Sequence, residues 1–311
     1  MSDHDTMTTT LVSSLRSVEI GVPDVVAAEA FFTGTWGLGV AARQGDAVYL
    51  RGTGADHHLL SLHPSDQPEL RMVTLRAPST RELDQLLQTV PANGGTVLSA
   101  RAPVTEPGGG EAVVVRDPQG RIVRIVTGDS RHADTEGHTD RPVRLAHAVL
   151  NSHDVAAGLA FYENALGMQL SDRTRIMAFI RIPMQPRGDH HSIALADADN
   201  DCLNHIAFVM PDLESVMRGG GRMKDAGYGI EWGPGRHGPG NNSFNYFVGP
   251  AGFVIEYTAD VAQIDDSYPV RGPEDWKWPA GRVDHWGISA PPSARLKEAQ
   301  KQIHFASGLK A

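Results

Sequence analysis

An internal repeat is the feature of this sequence that most restricts its fold. The stretch SVEIGVPDVVAAEAFFTGTWGLGV at residues 17–40 is matched by HAVLNSHDVAAGLAFYENALGMQL at residues 147–170, 130 residues later. Each stretch predicts a short β-strand, an aspartate that caps a helix (Asp24 and Asp154), and a helix that ends in an aromatic pair. The two stretches therefore predict the same local structure twice.

Three further pairs of segments follow in the same order. They are ADHHLLSL at 55–62 with GDHHSIAL at 188–195, LRMVTLRAPSTRELDQLL at 70–87 with LNHIAFVMPDLESVMRG at 203–219, and VRDPQGRIVRIV at 115–126 with FVGPAGFVIEYT at 247–258. Four matches in one order indicate a duplicated unit of roughly 120 residues. Within each half a β–helix–β pattern occurs twice, starting near residues 15, 70, 145 and 203.

The repeat also sets the predicted domain limits. We expect a disordered tail over 1–11, an N-terminal domain over 12–128, a polar linker over 129–142, a C-terminal domain over 143–260, and a tail over 261–311. The last segment carries three tryptophans within eleven residues, at positions 276, 278 and 286. Such a density of tryptophan predicts that this tail packs on the second domain.

Composition and charge exclude several classes of partner. The formal net charge is −9 and no Lys/Arg cluster is present, which argues against a nucleic-acid partner. No apolar run approaches the roughly 18 residues that span a bilayer, so we expect no membrane partner. A single cysteine, Cys202, allows no intrachain disulfide, and the N-terminus lacks the pattern of a secretory signal. These features predict a cytoplasmic protein.

Glu256 is an ionisable group within an otherwise apolar strand near the end of the second half. A buried carboxylate is costly unless it is paired or bound to a metal. His147 and His205 lie in the strands that open the third and fourth β–helix–β units. Because side chains alternate along a strand, these three residues can converge on one face of a sheet. Two imidazoles and one carboxylate form the ligand set that suits non-haem Fe(II), with Mn(II) as the alternative metal.

The first half provides an internal comparison for this ligand set. Its sister positions, meaning the equivalent positions in the other half, carry Ser17, Met72 and Arg124. None of these side chains can rebuild the two-histidine, one-carboxylate set. The sequence therefore predicts one metal site, in a catalytic C-terminal domain over 143–260, and a non-catalytic N-terminal domain over 12–128.

With these residues the chain resembles the type I extradiol ring-cleaving dioxygenases of the vicinal oxygen chelate superfamily, over roughly residues 12–290. The resemblance includes a motif in which Gly-x-His leads to a tyrosine, then Pro-x-Gly, then the ligand glutamate. Its positions here are Gly235, His237, Tyr246, Pro250, Gly252 and Glu256. Asn245 and Gly249 depart from the motif, at positions that precede its tyrosine and its proline.

The resemblance implies an α+β fold of four βαβββ modules. The modules are paired into two homologous domains, each a mostly antiparallel curved sheet that forms a cavity. It also implies an oxidoreductase that opens the ring of a catechol-type aromatic diol with O2, in the degradation of aromatic compounds. We expect a homo-oligomer, because an exposed sheet edge or tail often supports self-association.

The resemblance also implies the roles of three further residues. His191 matches the acid–base histidine of the family, although the repeated DHH tripeptide at 56–58 keeps a structural role open. Tyr246 is expected to hydrogen-bond a substrate oxygen, and His237 to contact the substrate or a metal ligand. Alternation along the chain predicts that His190 faces solvent.

Two other functions are considered from the same residues. One is a metal-dependent isomerase or lyase of the same superfamily that uses Zn(II), Ni(II) or Mn(II) without O2. Such proteins usually add a fourth carboxylate ligand, but the sister position of Glu256 is Arg124. The other is a metal-free protein that sequesters an aromatic compound. An intact triad argues against it, because three ionisable groups would be buried without a cation.

Overall fold

The computed structural model describes residues 10–133 and 140–307. Residues 1–9 of the predicted N-terminal tail, 134–139 of the predicted linker and 308–311 at the C-terminal end lie outside the described residues.

The first half contains two helices and a sheet of eight strands. Its elements are β1 (Ser14–Val22), α1 (Val25–Gly34), β2 (Gly39–Gln44), β3 (Ala47–Arg51), β4 (Leu60–Pro64), β5 (Glu69–Arg76), α2 (Thr80–Ala92), β6 (Thr96–Pro103), β7 (Glu111–Arg116) and β8 (Ile122–Thr127). The strands pair in the order β2-β3-β4-β1-β5-β8-β7-β6. Only β1–β4 and β5–β8 are parallel, so the sheet is mostly antiparallel.

The second half repeats this arrangement. Its elements are β9 (Arg144–Ser152), α3 (Val155–Leu166), β10 (Gln169–Arg173), β11 (Met177–Arg181), β12 (Gly188–Asp189), β13 (Ile193–Asp197), β14 (Cys202–Val209), α4 (Leu213–Asp225), β15 (Trp232–Arg236), β16 (Ser243–Val248) and β17 (Val254–Ala259). Its sheet has the order β10-β11-β13-β9-β14-β17-β16-β15. The two halves thus contain four modules of one strand, one helix and three principal strands, which confirms the predicted α+β fold.

The predicted helix caps explain where two of these helices begin. The side chain of Asp24 accepts a hydrogen bond from the backbone N–H of Ala27 at 2.9 Å. Asp154 does the same for Ala157, also at 2.9 Å. Each bond satisfies one of the N–H groups that a helix leaves unpaired at its start.

The two halves share a hydrophobic core. Trp36 of the first half stacks on Tyr257 of the second, with ring centroids 3.6 Å apart, and both side chains are buried. The phenol of Tyr257 donates a hydrogen bond to the backbone carbonyl of Trp36 at 2.6 Å. Aromatic burial of this kind contributes strongly to packing between the halves.

The segment after β17 returns to both sheets. It contains β18 (Gln263–Ile264), α5 (Ala294–Ala299) and β19 (Ile303–Phe305). Strand β18 pairs with β12, and β19 pairs with β14 of the second half and β5 of the first. Among the described residues, no helix has the length and apolar character needed to cross a membrane.

Candidate metal centre

Three neighbouring strands bring the predicted ligands to one place. His147 lies on β9, His205 on β14 and Glu256 on β17. Ala207 of β14 is opposite His147 on one side and opposite Glu256 on the other, so both ligands lie at the same level of the sheet. His205 is two residues before Ala207 and therefore shares its face.

The three predicted ligand side chains are buried and close to one another. Oε2 of Glu256 lies 3.2 Å from Nε2 of His147 and 3.2 Å from Nε2 of His205. The two Nε2 atoms are 3.3 Å apart. In the part of the chain that the structure describes, this is the only group of three or more His, Cys, Asp or Glu side chains with the spacing of a metal site.

The hydrogen bonds of His205 show that the site suits a cation. Nδ1 of His205 lies 2.8 Å from Oδ1 of Asn204, an acceptor, so the ring proton is on Nδ1. Its Nε2 therefore presents a lone pair to Glu256 and His147. Lone pairs that converge in a buried place repel one another unless a cation lies between them. The donor set fits Fe(II) or Mn(II).

Electrostatics support the same protonation state. Burial raises the pKa of Glu256, but the neighbouring imidazoles of His147, His205 and His237 hold that pKa well below its ordinary value. Burial lowers the pKa of His205 to about 4. At neutral pH the site therefore contains a carboxylate and a neutral His205, which are the forms that bind a metal.

Tyr246 and His237 lie beside the three ligands. Tyr246 on β16 is directly opposite Glu256 on β17, and its hydroxyl is 3.4 Å from Nε2 of His205. Nε2 of His237 is 3.0 Å from the Tyr246 hydroxyl and 3.7 Å from Oε1 of Glu256. Burial, and next the Glu256 charge, raise the pKa of Tyr246 well above 10, so its phenol keeps its proton.

His191 is the third predicted catalytic residue at this place. It lies in the connection between β12 and β13, and its ring stacks on His147 with centroids 4.3 Å apart. Burial, followed by neighbouring His147 and His190, lowers the pKa of His191 well below 6.5. Its imidazole is therefore neutral and can accept a proton.

The expectation that His190 faces solvent is wrong. Its side chain is 0% exposed, and Nε2 lies 2.7 Å from Oδ2 of Asp172, which is equally buried. Alternation does not apply here because His190 lies between β12 and β13, outside a regular strand.

Two residues near the site were not identified from the sequence, Asn204 and Asp172. Both lie at register shifts of their strands, between Leu203 and His205 in β14 and between Leu170 and Asp172 in β10. A bulge redirects side chains, so simple alternation cannot place these residues. The repeat did contain a signal for Asp172. Its sister position carries Ala42, so the carboxylate is present in one half alone.

The sister positions in the first half form no metal site. Thr74 of β5 is opposite Ser17 and Arg124, as Ala207 is opposite His147 and Glu256 in the second half. Nη1 of Arg124 lies 2.7 Å from a carboxylate oxygen of Glu19 and 2.7 Å from one of Glu106. An ion-pair cluster thus occupies the place of the metal ligands.

The two residues that depart from the motif lie away from the ligands. Asn245 is fully buried, and its amide donates to the carbonyl of Val216 in α4 at 3.4 Å. Gly249 packs near Phe31 of the first half. Neither departure changes the ligand set.

Comparison with known proteins identifies the family. The family model described as the Glyoxalase/Bleomycin resistance protein/Dioxygenase superfamily matches residues 14–125 and 144–257. The chain belongs to this superfamily. The superfamily model thus matches once in each half of the repeat.

Three similar proteins are informative. Metapyrocatechase 2 of Cupriavidus necator is 33% identical over 192 residues, which cover 60% of this chain and 51% of that protein. This chain thus spans about half the length of that relative. The manganese-dependent 2,3-dihydroxybiphenyl 1,2-dioxygenase of Geobacillus genomosp. 3 is 22% identical over 86% of this chain and 90% of that protein. The structure of the Mn(II)-bound glyoxalase from Novosphingobium aromaticivorans has a TM-score of 0.85 and 32% identity, and covers 97% of this chain and 98% of that one.

Proposed function

We propose that this superfamily member is an Fe(II)- or Mn(II)-dependent extradiol dioxygenase that opens the ring of a catechol-type aromatic with O2. One observation carries the proposal. His147, His205 and Glu256 converge with their acceptor atoms toward one another, while neutral His191 stacks on His147. Two relatives support it, one named metapyrocatechase 2 and the other a manganese-dependent 2,3-dihydroxybiphenyl 1,2-dioxygenase.

Two protein groups act on the diol, and a third positions one of them. His147, His205 and Glu256 would hold the metal, which would supply a Lewis-acidic, redox-active centre. Neutral His191 accepts a proton from a diol hydroxyl and returns it later to the opening ring. The Tyr246 phenol, held by His237, donates a hydrogen bond to a substrate oxygen and orients the ring.

A second candidate function is a metal-dependent isomerase or lyase that does not use O2. The likeness to an Mn(II)-bound glyoxalase, at 32% identity, favours it. The donor set argues against it, because the fourth carboxylate expected in such enzymes is missing among the described residues. Arg124, at the sister position of Glu256, is held instead by Glu19 and Glu106.

The partners follow from this proposal. They are a small aromatic diol and O2, and we propose neither a nucleic acid nor a membrane as partner. The cytoplasmic location and the homo-oligomeric state stay predictions from the sequence.

Oxygen uptake is the experiment that tests the proposal. Protein loaded anaerobically with Fe(II), and separately with Mn(II), is mixed with catechol, 3-methylcatechol or 2,3-dihydroxybiphenyl in aerated buffer. Stoichiometric O2 consumption with a yellow product is expected for at least one diol, and none for the Glu256→Ala variant. Tightly bound metal without uptake on any diol would overturn the proposal. Turnover of a thiol–ketoaldehyde adduct without O2 would then establish the isomerase.

A further inference from the structure

We propose that Asp172 and His190 form a buried positioning pair that keeps the ring proton of His191 on Nδ1 and leaves its Nε2 lone pair open. The inference rests on the proposed function, in which His191 accepts a proton from the substrate. Oδ2 of Asp172 lies 2.7 Å from Nε2 of His190. Nδ1 of His190 lies 3.0 Å from Nδ1 of His191.

The contacts of Asp172 determine which ring nitrogen of His190 carries a proton. Its Oδ2 accepts a hydrogen bond from the Tyr268 hydroxyl at 2.9 Å, and its Oδ1 accepts one from the backbone N–H of Arg271 at 3.1 Å. A carboxylate that receives these donors acts as an acceptor toward His190 as well. Nε2 of His190 therefore carries a proton.

The position of the proton on His190 determines which nitrogen of His191 is protonated. A neutral imidazole has one N–H, so Nδ1 of His190 is a bare acceptor. The 3.0 Å contact between the two Nδ1 atoms then requires the proton to be on His191. Nε2 of His191 consequently presents a lone pair. Nε2 of His191 has no hydrogen-bond partner among the described residues. It is also not completely covered by protein atoms, so a ligand can reach it.

The first half shows what happens without this pair. His57 and His58 repeat the Nδ1–Nδ1 contact at 3.0 Å, but the sister position of Asp172 is Ala42. There Nη1 of Arg16 lies 2.8 Å from Nε2 of His58. Arginine can only donate, so it occupies the lone pair that His58 would offer.

The second half reverses this arrangement. The sister position of Arg16 is Ala146, which cannot donate to His191. The tautomer is set instead from the far side, by Asp172 through His190. The same histidine pair therefore serves packing in one half, and in the other it presents an open base beside the metal ligands.

The Asp172→Asn substitution tests this inference with little change in volume. The backbone N–H of Arg271 can only donate, so the amide oxygen of the new side chain stays toward Arg271. Its NH₂ group then faces Nε2 of His190 and makes that atom an acceptor. His190 would carry its proton on Nδ1 and donate to His191, whose own proton would move to Nε2 and remove the open lone pair.

The tautomer is measured directly by ¹⁵N NMR. The full-length protein is labelled at the histidine rings and loaded with diamagnetic Zn(II), and the His191 signals are assigned by their absence in His191→Ala. We expect the proton on Nδ1 in the wild type and on Nε2 in Asp172→Asn. An unchanged tautomer in the variant would overturn the inference. Because this readout needs no turnover, it decides the inference even if no diol is cleaved.

Kinetics of the Fe(II)-loaded protein provide the second readout. We expect Asp172→Asn to lower kcat roughly 10²- to 10⁴-fold, as loss of a general base does, with KM and metal content nearly unchanged. The double variant Asp172→Asn, His191→Ala should be no slower than His191→Ala alone. A further loss in the double variant would contradict the inference, since Asp172 would then act without His191. His57→Gln, at the sister position of His190, is the matched control and should keep wild-type activity.

Discussion

The Nε2 atoms of His147 and His205 lie 3.3 Å apart, and both side chains are buried. Asn204 holds the proton of His205 on the opposite nitrogen, so no proton is available from His205 to bridge this contact. Oε2 of Glu256 lies 3.2 Å from both atoms. A metal binds these atoms only when they carry no proton, so metal binding and the protonation of the site are interdependent.

Replacing a ligand should therefore remove the metal. In His147→Ala we expect metal affinity to fall by more than the roughly 10- to 100-fold that loss of an outer hydrogen bond costs. Metal content after gel filtration, measured by elemental analysis, checks this. Ser17→Ala, at the sister position, is the control and should bind as much metal as the wild type. Equal metal content in both variants would show that His147 is not a ligand.

Asn204 should tune this affinity without being a ligand. Its Oδ1 accepts hydrogen bonds from His205 at 2.8 Å and from the side chain of Gln300, also at 2.8 Å. Asn204→Leu removes both, so His205 loses its fixed tautomer. We expect metal affinity to fall about 10- to 100-fold, measured by competition with a chelator. Gln300→Leu leaves the His205 bond in place and should have a much smaller effect; equal losses would argue that Asn204 acts only through packing.

Much of the fold and ligand set could be predicted because the chain is duplicated. Equivalent strands keep the same register, so Ser17 and Arg124 hold the places of His147 and Glu256. The repeat thus indicates which strands are equivalent, and in the second half these strands bring residues that are far apart in sequence onto one sheet. Period-2 alternation then places the ligands on one face.

The parts that could not be predicted lie where this regularity ends. Asn204 and Asp172 sit at register shifts, and His190 lies in a connection between two strands. Alternation carries no information at such positions, since a bulge or loop sets the side-chain direction by tertiary packing. The buried contact between Asp172 and His190 therefore becomes visible only in three dimensions.

The stability of the protein should depend on pH through His63 in the first half. Burial lowers the pKa of His63 to about 4, from 6.5 in the unfolded chain. Between these values the unfolded chain binds more protons at this position, so the free energy of unfolding rises with pH. The contribution is present above pH 6.5 and is lost as the pH falls toward 4.

Denaturant unfolding at several pH values measures this dependence. From pH 4 to 6.5, the free energy of unfolding of the wild type should rise by on the order of 2 kcal/mol more than that of His63→Gln. If the free energy of unfolding of His63→Gln changes with pH in parallel with that of the wild type, His63 is not the group that titrates.

His191→Ala should separate metal binding from turnover. His191 contacts the ring of His147 but donates no atom to the three-residue ligand group, so the variant should retain a full complement of metal. Its kcat on the best diol should fall roughly 10²- to 10⁴-fold, because the proton acceptor is gone. His58→Ala removes the sister imidazole from the first half, where Arg16 occupies its Nε2, and should leave kcat near that of the wild type. Stopped-flow absorbance at the product band, with metal content measured on the same samples, gives both quantities. Wild-type turnover in His191→Ala would assign the acid–base role to another group, and loss of metal would make His191 a support for His147.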